Sequence, residues 1–123
     1  MLSYRGQVWT ETPTGGAVNF ITGAGGFLQS VLFGYGGLRL TSNALTWAPP
    51  PQPPQNASAI VLHGVHYAGA SLRLTAGVGV LQAQLLASGP SLLCLRQGSK
   101  TTALSLGETV QAPGNEPAAI ALC

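Results

Sequence analysis

Phe27-Leu28-Gln29-Ser30-Val31-Leu32-Phe33-Gly34-Tyr35-Gly36-Gly37-Leu38-Arg39-Leu40 changes its hydrophobic period part-way along. Phe27, Leu28, Val31, Leu32 and Tyr35 recur three and four apart, the spacing of one helical face. Leu38, Arg39 and Leu40 alternate, the spacing of a strand. Gly36-Gly37 lies at the change. Glycine tolerates the left-handed conformation needed just past a helix end. The stretch therefore predicts a helix over 22–37 and β structure from residue 38 onward.

Toward the N-terminus, Thr22 has the hydroxyl of an N-cap, able to accept from a free amide in the first turn. Only Gln29 and Ser30 are clearly polar in the body of the helix, and a helix apolar on most sides is a buried one. Gly34 would admit a close neighbour. No second helix is predicted to bury it, so the helix points to a larger body outside these residues. Residues 1–19 read as irregular, with a turn cluster at Thr12-Pro13-Thr14-Gly15-Gly16.

Toward the C-terminus, Leu38–Leu40 and Leu45–Trp47 flank Ser42-Asn43 as a hairpin. Ala48 to Gln55 holds five prolines and reads as a stiff extended connector. Ala59–Tyr67, Ser71–Thr75, Val78–Leu86 and Leu92–Gln97 read as strands, and Thr102–Gln111 as a last hairpin. Residues 112–123 are ambiguous, with one edge strand as a candidate. Short strands with turn signals at short intervals predict a β-sandwich over 38–123.

Composition limits the function classes. The chain has 123 residues, 46% hydrophobic and only 7% charged, where an ordinary soluble domain carries about 25% charged residues. So few charges imply that other protein covers much of the surface. The net charge of +2 comes from scattered single residues, with no basic stripe, so nucleic acid is not an expected partner. No signal peptide is visible, and no run approaches the roughly 18 apolar residues of a spanning helix. No membrane partner and a cytoplasmic location are the expectation. Cys94 lies in an apolar run and reads as a buried thiol; Cys123 is terminal and reads as free, which suits a reducing compartment. Asn56-Ala57-Ser58 fits a glycosylation acceptor, a weak signal.

Candidate chemistry is thin. Acid–base hydrolysis of a glycoside needs two carboxylates placed together. The chain has no Asp, and Glu11, Glu108 and Glu116 are far apart in sequence and read as solvated charges. His63 and His66 are three apart on a predicted strand, and simple alternation puts their rings on opposite faces, so they cannot chelate one metal. Gly23-Ala24-Gly25-Gly26 before a helix could offer amides to an anion, but it lacks the Lys and Ser/Thr of a phosphate loop. Trp9, Trp47 and Tyr67 could stack on sugars, although core packing accounts for each. No catalytic residue and no metal or cofactor site is expected; substrate-binding residues are undefined.

The run Val18-Asn19-Phe20-Ile21-Thr22-Gly23-Ala24-Gly25-Gly26-Phe27-Leu28-Gln29, with Gly34 and Gly37-Leu38-Arg39, resembles the family 65 glycoside hydrolases, in particular their animal acid-trehalase-like branch. Leu62-His63-Gly64-Val65-His66-Tyr67-Ala68-Gly69 and Leu72-Arg73-Leu74 resemble the C-terminal β-sandwich of that group. The two matches together span about residues 7 to 111. The resemblance implies a mainly β chain in which residues 1–37 end an (α/α)6 catalytic barrel and 38–123 form the C-terminal sandwich. It implies an inverting hydrolase that releases glucose from glucosylgalactosyl-hydroxylysine, with the carbohydrate reaching it through the missing barrel. The family's catalytic carboxylates lie upstream, so these residues alone should be inactive. Phosphorylases of the family place a His and a Ser before the double glycine; the matching Phe20 and Gly23 cannot replace them, which implies water as nucleophile. A trehalase-like α-glucosidase and a non-catalytic β-sandwich module for binding or assembly are the alternatives.

Overall fold

The computed structural model describes residues 3–4, 8–12, 14–18 and 21–123. The chain divides into two compact units, Met1–Val31 and Leu32–Cys123.

In the first unit, strands β1 (Ser3–Tyr4), β2 (Val8–Thr12) and β3 (Gly15–Val18) form an antiparallel three-stranded sheet in that order. The expectation of an irregular start is therefore corrected. Period-two patterning is hidden there because Thr, Glu and Gly stand where a strand usually carries branched apolar residues. Of the turn cluster, Thr14 lies in the β2–β3 turn, whereas Thr12 ends β2, Gly15 and Gly16 begin β3, and Pro13 lies outside the described residues. Helix α1 (Ile21–Gln29) follows, and Ser30–Tyr35 continues it as a π-helical segment. Thr22 lies inside the helix, not at its cap, and Gly23, Gly25 and Gly26 lie within α1, not before it. The wider π turn is accompanied by a hydrogen bond from Ser30 Oγ to the Gly26 carbonyl (3.0 Å), a side chain competing for a helical acceptor. No residue from Ile21 to Tyr35 is buried.

The second unit is a sandwich of two antiparallel sheets. One has five strands in the order β10-β9-β12-β5-β4 and the other four in the order β11-β8-β7-β6. The strands are β4 (Leu38–Leu40), β5 (Leu45–Trp47), β6 (Ala59–Tyr67), β7 (Ala70–Gly77), β8 (Val80–Ala87), β9 (Leu93–Gln97), β10 (Lys100–Ala103), β11 (Thr109–Pro113) and β12 (Ala118–Leu122). Inward residues of both sheets meet in one core that includes Trp47, Leu72, Leu74, Leu81, Leu93 and Ile120. Leu104 joins it from the loop after β10. Alternation does the sorting: β7 reads buried at Ala70, Leu72, Leu74 and Ala76 and open at Arg73.

Gly36 and Gly37 end the helical segment as expected. Gly37 has φ +67°, and a Cβ there would lie 2.3 Å from the Ala48 carbonyl carbon. Its carbonyl accepts from Ala48 N at 2.9 Å, tying the helix end to the chain leaving β5. A Cβ on Gly36 would collide with Leu32 O and Leu62 Cδ1. Arg39 then donates to the carbonyls of Phe33 and Leu38 and lies over the Phe33 ring, 5.6 Å from its centre.

Three sequence expectations fail in this unit. Cys94 and Cys123 are joined as a disulfide, so neither is a thiol. They meet because β12 pairs with β9, which sets Ala121 opposite Cys94 and brings their Cα atoms to 5.2 Å. Residues 118–122 are no edge strand: β12 sits in the middle of the five-stranded sheet, between β9 and β5. Thr102–Gln111 is no hairpin either. β10 pairs with β9, β11 pairs with β8, and the chain passes from one sheet to the other between them. The proline connector also contains a short 3-10 turn, Pro54–Asn56.

Candidate functional site

The outer face of the four-stranded sheet gathers the polar side chains that the core leaves over. Register sets two rows across the four strands. One is His63, Arg73, Gln84 and Thr109; the other is Val61, Thr75, Gln82 and Gln111. Between the rows lies a recess of about 260 Å³, walled by Val61, Arg73, Thr75, Gln82, Gln84 and Thr109. Arg73 brings the one full charge to that wall, and no carboxylate lines it.

The polar groups differ in how far the fold uses them. Gln97, on β9, uses its amide nitrogen twice, its Nε2 donating to the Pro113 carbonyl at 2.7 Å and the Glu116 carbonyl at 2.9 Å. Gln84 is half committed: its Nε2 donates to the Gly107 carbonyl at 3.0 Å, which fixes the amide and leaves Oε1 as an acceptor. Among the described residues Arg73, Thr75 and Gln82 form no side-chain hydrogen bond or ion pair. Arg73 is exposed, while Thr75, Gln82 and Gln84, on the two inner strands, are half-buried by their cross-strand neighbours.

His63 and His66 are placed differently from the simple alternation expected. The β6–β7 register shifts between His63 and Val65, around Gly64 at φ +76°. His63 pairs with Arg73 and His66 with Ser71, two positions of the same outer face. A bulge inserts one residue and reverses the parity after it. The two rings therefore share a face, and both are exposed. Among the described residues no three His, Cys, Asp or Glu come together as a metal site.

The other candidates are scattered. Glu108 and Glu116 are exposed in the loops before and after β11, and Glu11 lies on β2. Trp47 is buried in the core and Tyr67 packs against it, as core packing requires. Trp9 lies on β2, its side chain outside what the structure describes. Phe20 lies outside the described residues, and Gly23 is in the first turn of α1. The recess itself was missed because no local motif marks it; only cross-strand register brings Arg73, Gln82 and Gln84 together.

Comparison with known proteins supplies what the geometry lacks. The chain is 41% identical over 85 residues to a protein-glucosylgalactosylhydroxylysine glucosidase of Dictyostelium discoideum, covering 69% of this chain and 12% of that protein. It is 46% identical over 70 residues to the protein of the same name from Gallus gallus, covering 56% of this chain and 10% of that one. A kojibiose hydrolase of Mucilaginibacter mallensis is 42% identical over 59 residues, 48% of this chain and 9% of that protein. The chain is related to the family 65 glycoside hydrolases. It spans about a tenth of the length of these family 65 relatives. No family model matches the chain, and no solved structure matches it. The two described Glu side chains, Glu108 and Glu116, lie before and after β11, and the chain has no Asp.

Proposed function

We propose that this chain is the C-terminal part of an inverting glycoside hydrolase that releases glucose from glucosylgalactosyl-hydroxylysine of collagen-type glycans. The observation that carries the reading is the recurrence of one relative, the glucosylgalactosylhydroxylysine glucosidase, from four organisms at 41–50% identity. On this reading residues 1–37 close an α-helical catalytic barrel and 38–123 are its C-terminal sandwich. Two features of the helix support it. Phe27, Leu28, Phe33 and Tyr35 are exposed, and among the described residues a Cβ on Gly25, Gly26 or Gly34 would touch nothing. Glycines inside a helix cost about 0.5–1 kcal/mol each relative to alanine, a cost that close approach of a further element would offset.

The general acid and the base that activates water lie on this reading in the part of the enzyme beyond these residues, and residues 1–123 contribute no catalytic group. Phe20 and Gly23 stand where a phosphorylase would hold phosphate, and neither side chain carries a charge or a donor, so water is the nucleophile. Disulfides persist in oxidising compartments and are rare in the cytosol. The Cys94–Cys123 bridge therefore favours an oxidising compartment. Among the described residues no helix is long and apolar enough to cross a membrane.

The kojibiose hydrolase keeps a second reading in view, a related α-glucosidase with a different disaccharide as substrate. The test uses the full-length parent with glucosylgalactosyl-hydroxylysine, kojibiose and trehalose, each with and without inorganic phosphate. Glucose released from the first substrate without phosphate supports the proposal. Preference for kojibiose or trehalose favours the second reading, and phosphate-dependent glucose 1-phosphate overturns the hydrolytic step.

A further inference from the structure

We infer that the recess across β6, β7, β8 and β11 is a binding site for a neutral hexose unit of a glycan. The choice of a saccharide rests on the glycosidase reading above; the site itself rests on the fold.

The side chains around it fit a polyol better than the other ligand chemistries. A sugar hydroxyl both donates and accepts, so its ring of hydroxyls needs donors and acceptors at close quarters. Arg73 supplies a planar fork of donors matched to a pair of adjacent oxygens. Gln84 supplies an acceptor, because its Nε2 is already held by the Gly107 carbonyl. Gln82 supplies both from the neighbouring row, and the Thr75 and Thr109 hydroxyls add groups of either sense. Val61, 46% exposed at the wall, offers an apolar contact to the C–H face of a ring.

An inorganic anion would want donors alone, and the fixed carbonyl oxygen of Gln84 opposes it. A metal ion would want carboxylates or imidazoles, and none lines the recess. The amide nitrogen of Gln97 donates to two carbonyls of this sandwich, while Gln82, half-buried, is left unpaired. Holding Gln84 in place before the ligand arrives lowers the ordering cost of binding.

The recess is slightly smaller than the roughly 300–1,000 Å³ of usual ligand pockets, so it takes one ring rather than a long chain. No aromatic side chain lines it to stack on a sugar face, so affinity for a single ring is weak, with a Kd of about 1 mM or above. The site would act beside a second contact, keeping a glycan near the enzyme by effective concentration.

The test is a titration of the isotopically labelled 123-residue chain, followed by backbone amide shifts, with galactose, glucosylgalactose, mannitol and sulfate as separate probes. The expected result is saturable shifts from galactose and glucosylgalactose, confined to β6, β7, β8 and β11. Arg73→Lys removes the planar fork without a large change in volume or charge and should weaken binding at least about tenfold. Gln82→Ala should weaken it by about fivefold, and Lys100→Ala on β10 should leave it unchanged. Unchanged amide spectra outside the recess confirm that each variant is folded.

Absence of shifts with both sugars overturns the inference, as does undiminished binding in Arg73→Lys. Saturable binding of sulfate at the same amides, without the sugars, identifies an anion site and also overturns it. Equal binding of mannitol shows that no ring is recognised and overturns the hexose assignment. The enzymatic reading is judged separately by glucose release from the parent. A parent that hydrolyses with a recess that binds nothing removes this inference alone, while a recess that binds hexose beside an inactive parent removes the glycosidase reading alone.

Discussion

The helical segment Ile21–Tyr35 and strand β7 are both rich in large apolar residues, and their surroundings could hardly differ more. Leu72 and Leu74 on β7 are 0% exposed, whereas Ile21 and Leu28 on α1 are 82% and 62% exposed. Side-chain chemistry is alike in the two places; the facing surface is not. β7 lies opposite a second sheet whose Trp47, Leu93, Leu95 and Ile120 fill the gap, so its leucines leave water. Each large apolar side chain so buried contributes about 1.5–3 kcal/mol. The same residues on the helix contribute little until something covers them. Apolarity states a demand for a partner, and only the fold shows whether this chain meets it.

The largest break in this comparison comes from the core. Trp47→Ala should destabilise the sandwich by about 3–5 kcal/mol, enough to unfold much of the population at 37 °C, as read by urea melts followed by fluorescence and circular dichroism. Leu28→Ala on the helix should shift the same midpoint by under about 0.5 kcal/mol. Equal effects would mean that the helix is as well packed as the strand.

Next in size is the staple. Cys94 and Cys123 lie 29 residues apart, and closing a loop of that length restricts the unfolded chain by about 3–4 kcal/mol. Reduction, or Cys123→Ser, should lower the melting temperature of residues 32–123 by more than about 10 °C and free the C-terminal strand for amide exchange. A midpoint indifferent to reductant would show that β12 is held by pairing alone. Gly37→Ala follows. It forces a side chain into a left-handed backbone and against Ala48, costing about 1–3 kcal/mol in the same melts. Gly34→Ala should be neutral or slightly stabilising, since its added methyl meets none of the described residues.

What the sequence made legible, and what it hid, follow one rule. Leu38–Leu40, Leu45–Trp47 and Ala59–Tyr67 are the strands expected, because period and turn residues are local signals. The stop at Gly36-Gly37 is local too. The central position of β12 was hidden, because Ala118-Ala119-Ile120-Ala121-Leu122 is small, apolar and without alternation. Its place depends on β9 and β5, strands far away in the chain. The disulfide was hidden for the same reason. Simple alternation places His63 and His66 on opposite faces, and the bulge at Gly64, which adds a residue, puts them on one. The recess needs the pairing of four strands, and no window of sequence contains it. That the chain has no Asp and only three Glu is read directly from composition.

The smallest effect on stability concerns the helix surface. Leu28→Gln with Phe27→Gln should leave the melting midpoint almost unchanged while reducing self-association in sedimentation velocity, because both side chains are exposed. A monodisperse monomer before substitution would contradict the reading of that surface as one awaiting cover.

Glucose release from glucosylgalactosyl-hydroxylysine, measured side by side for the purified 123-residue chain and its full-length parent, tests the central claim most directly. The account predicts turnover by the parent and none above the buffer rate by residues 1–123. Turnover by the 123-residue chain that disappears on Glu108→Gln or Glu116→Gln would contradict it.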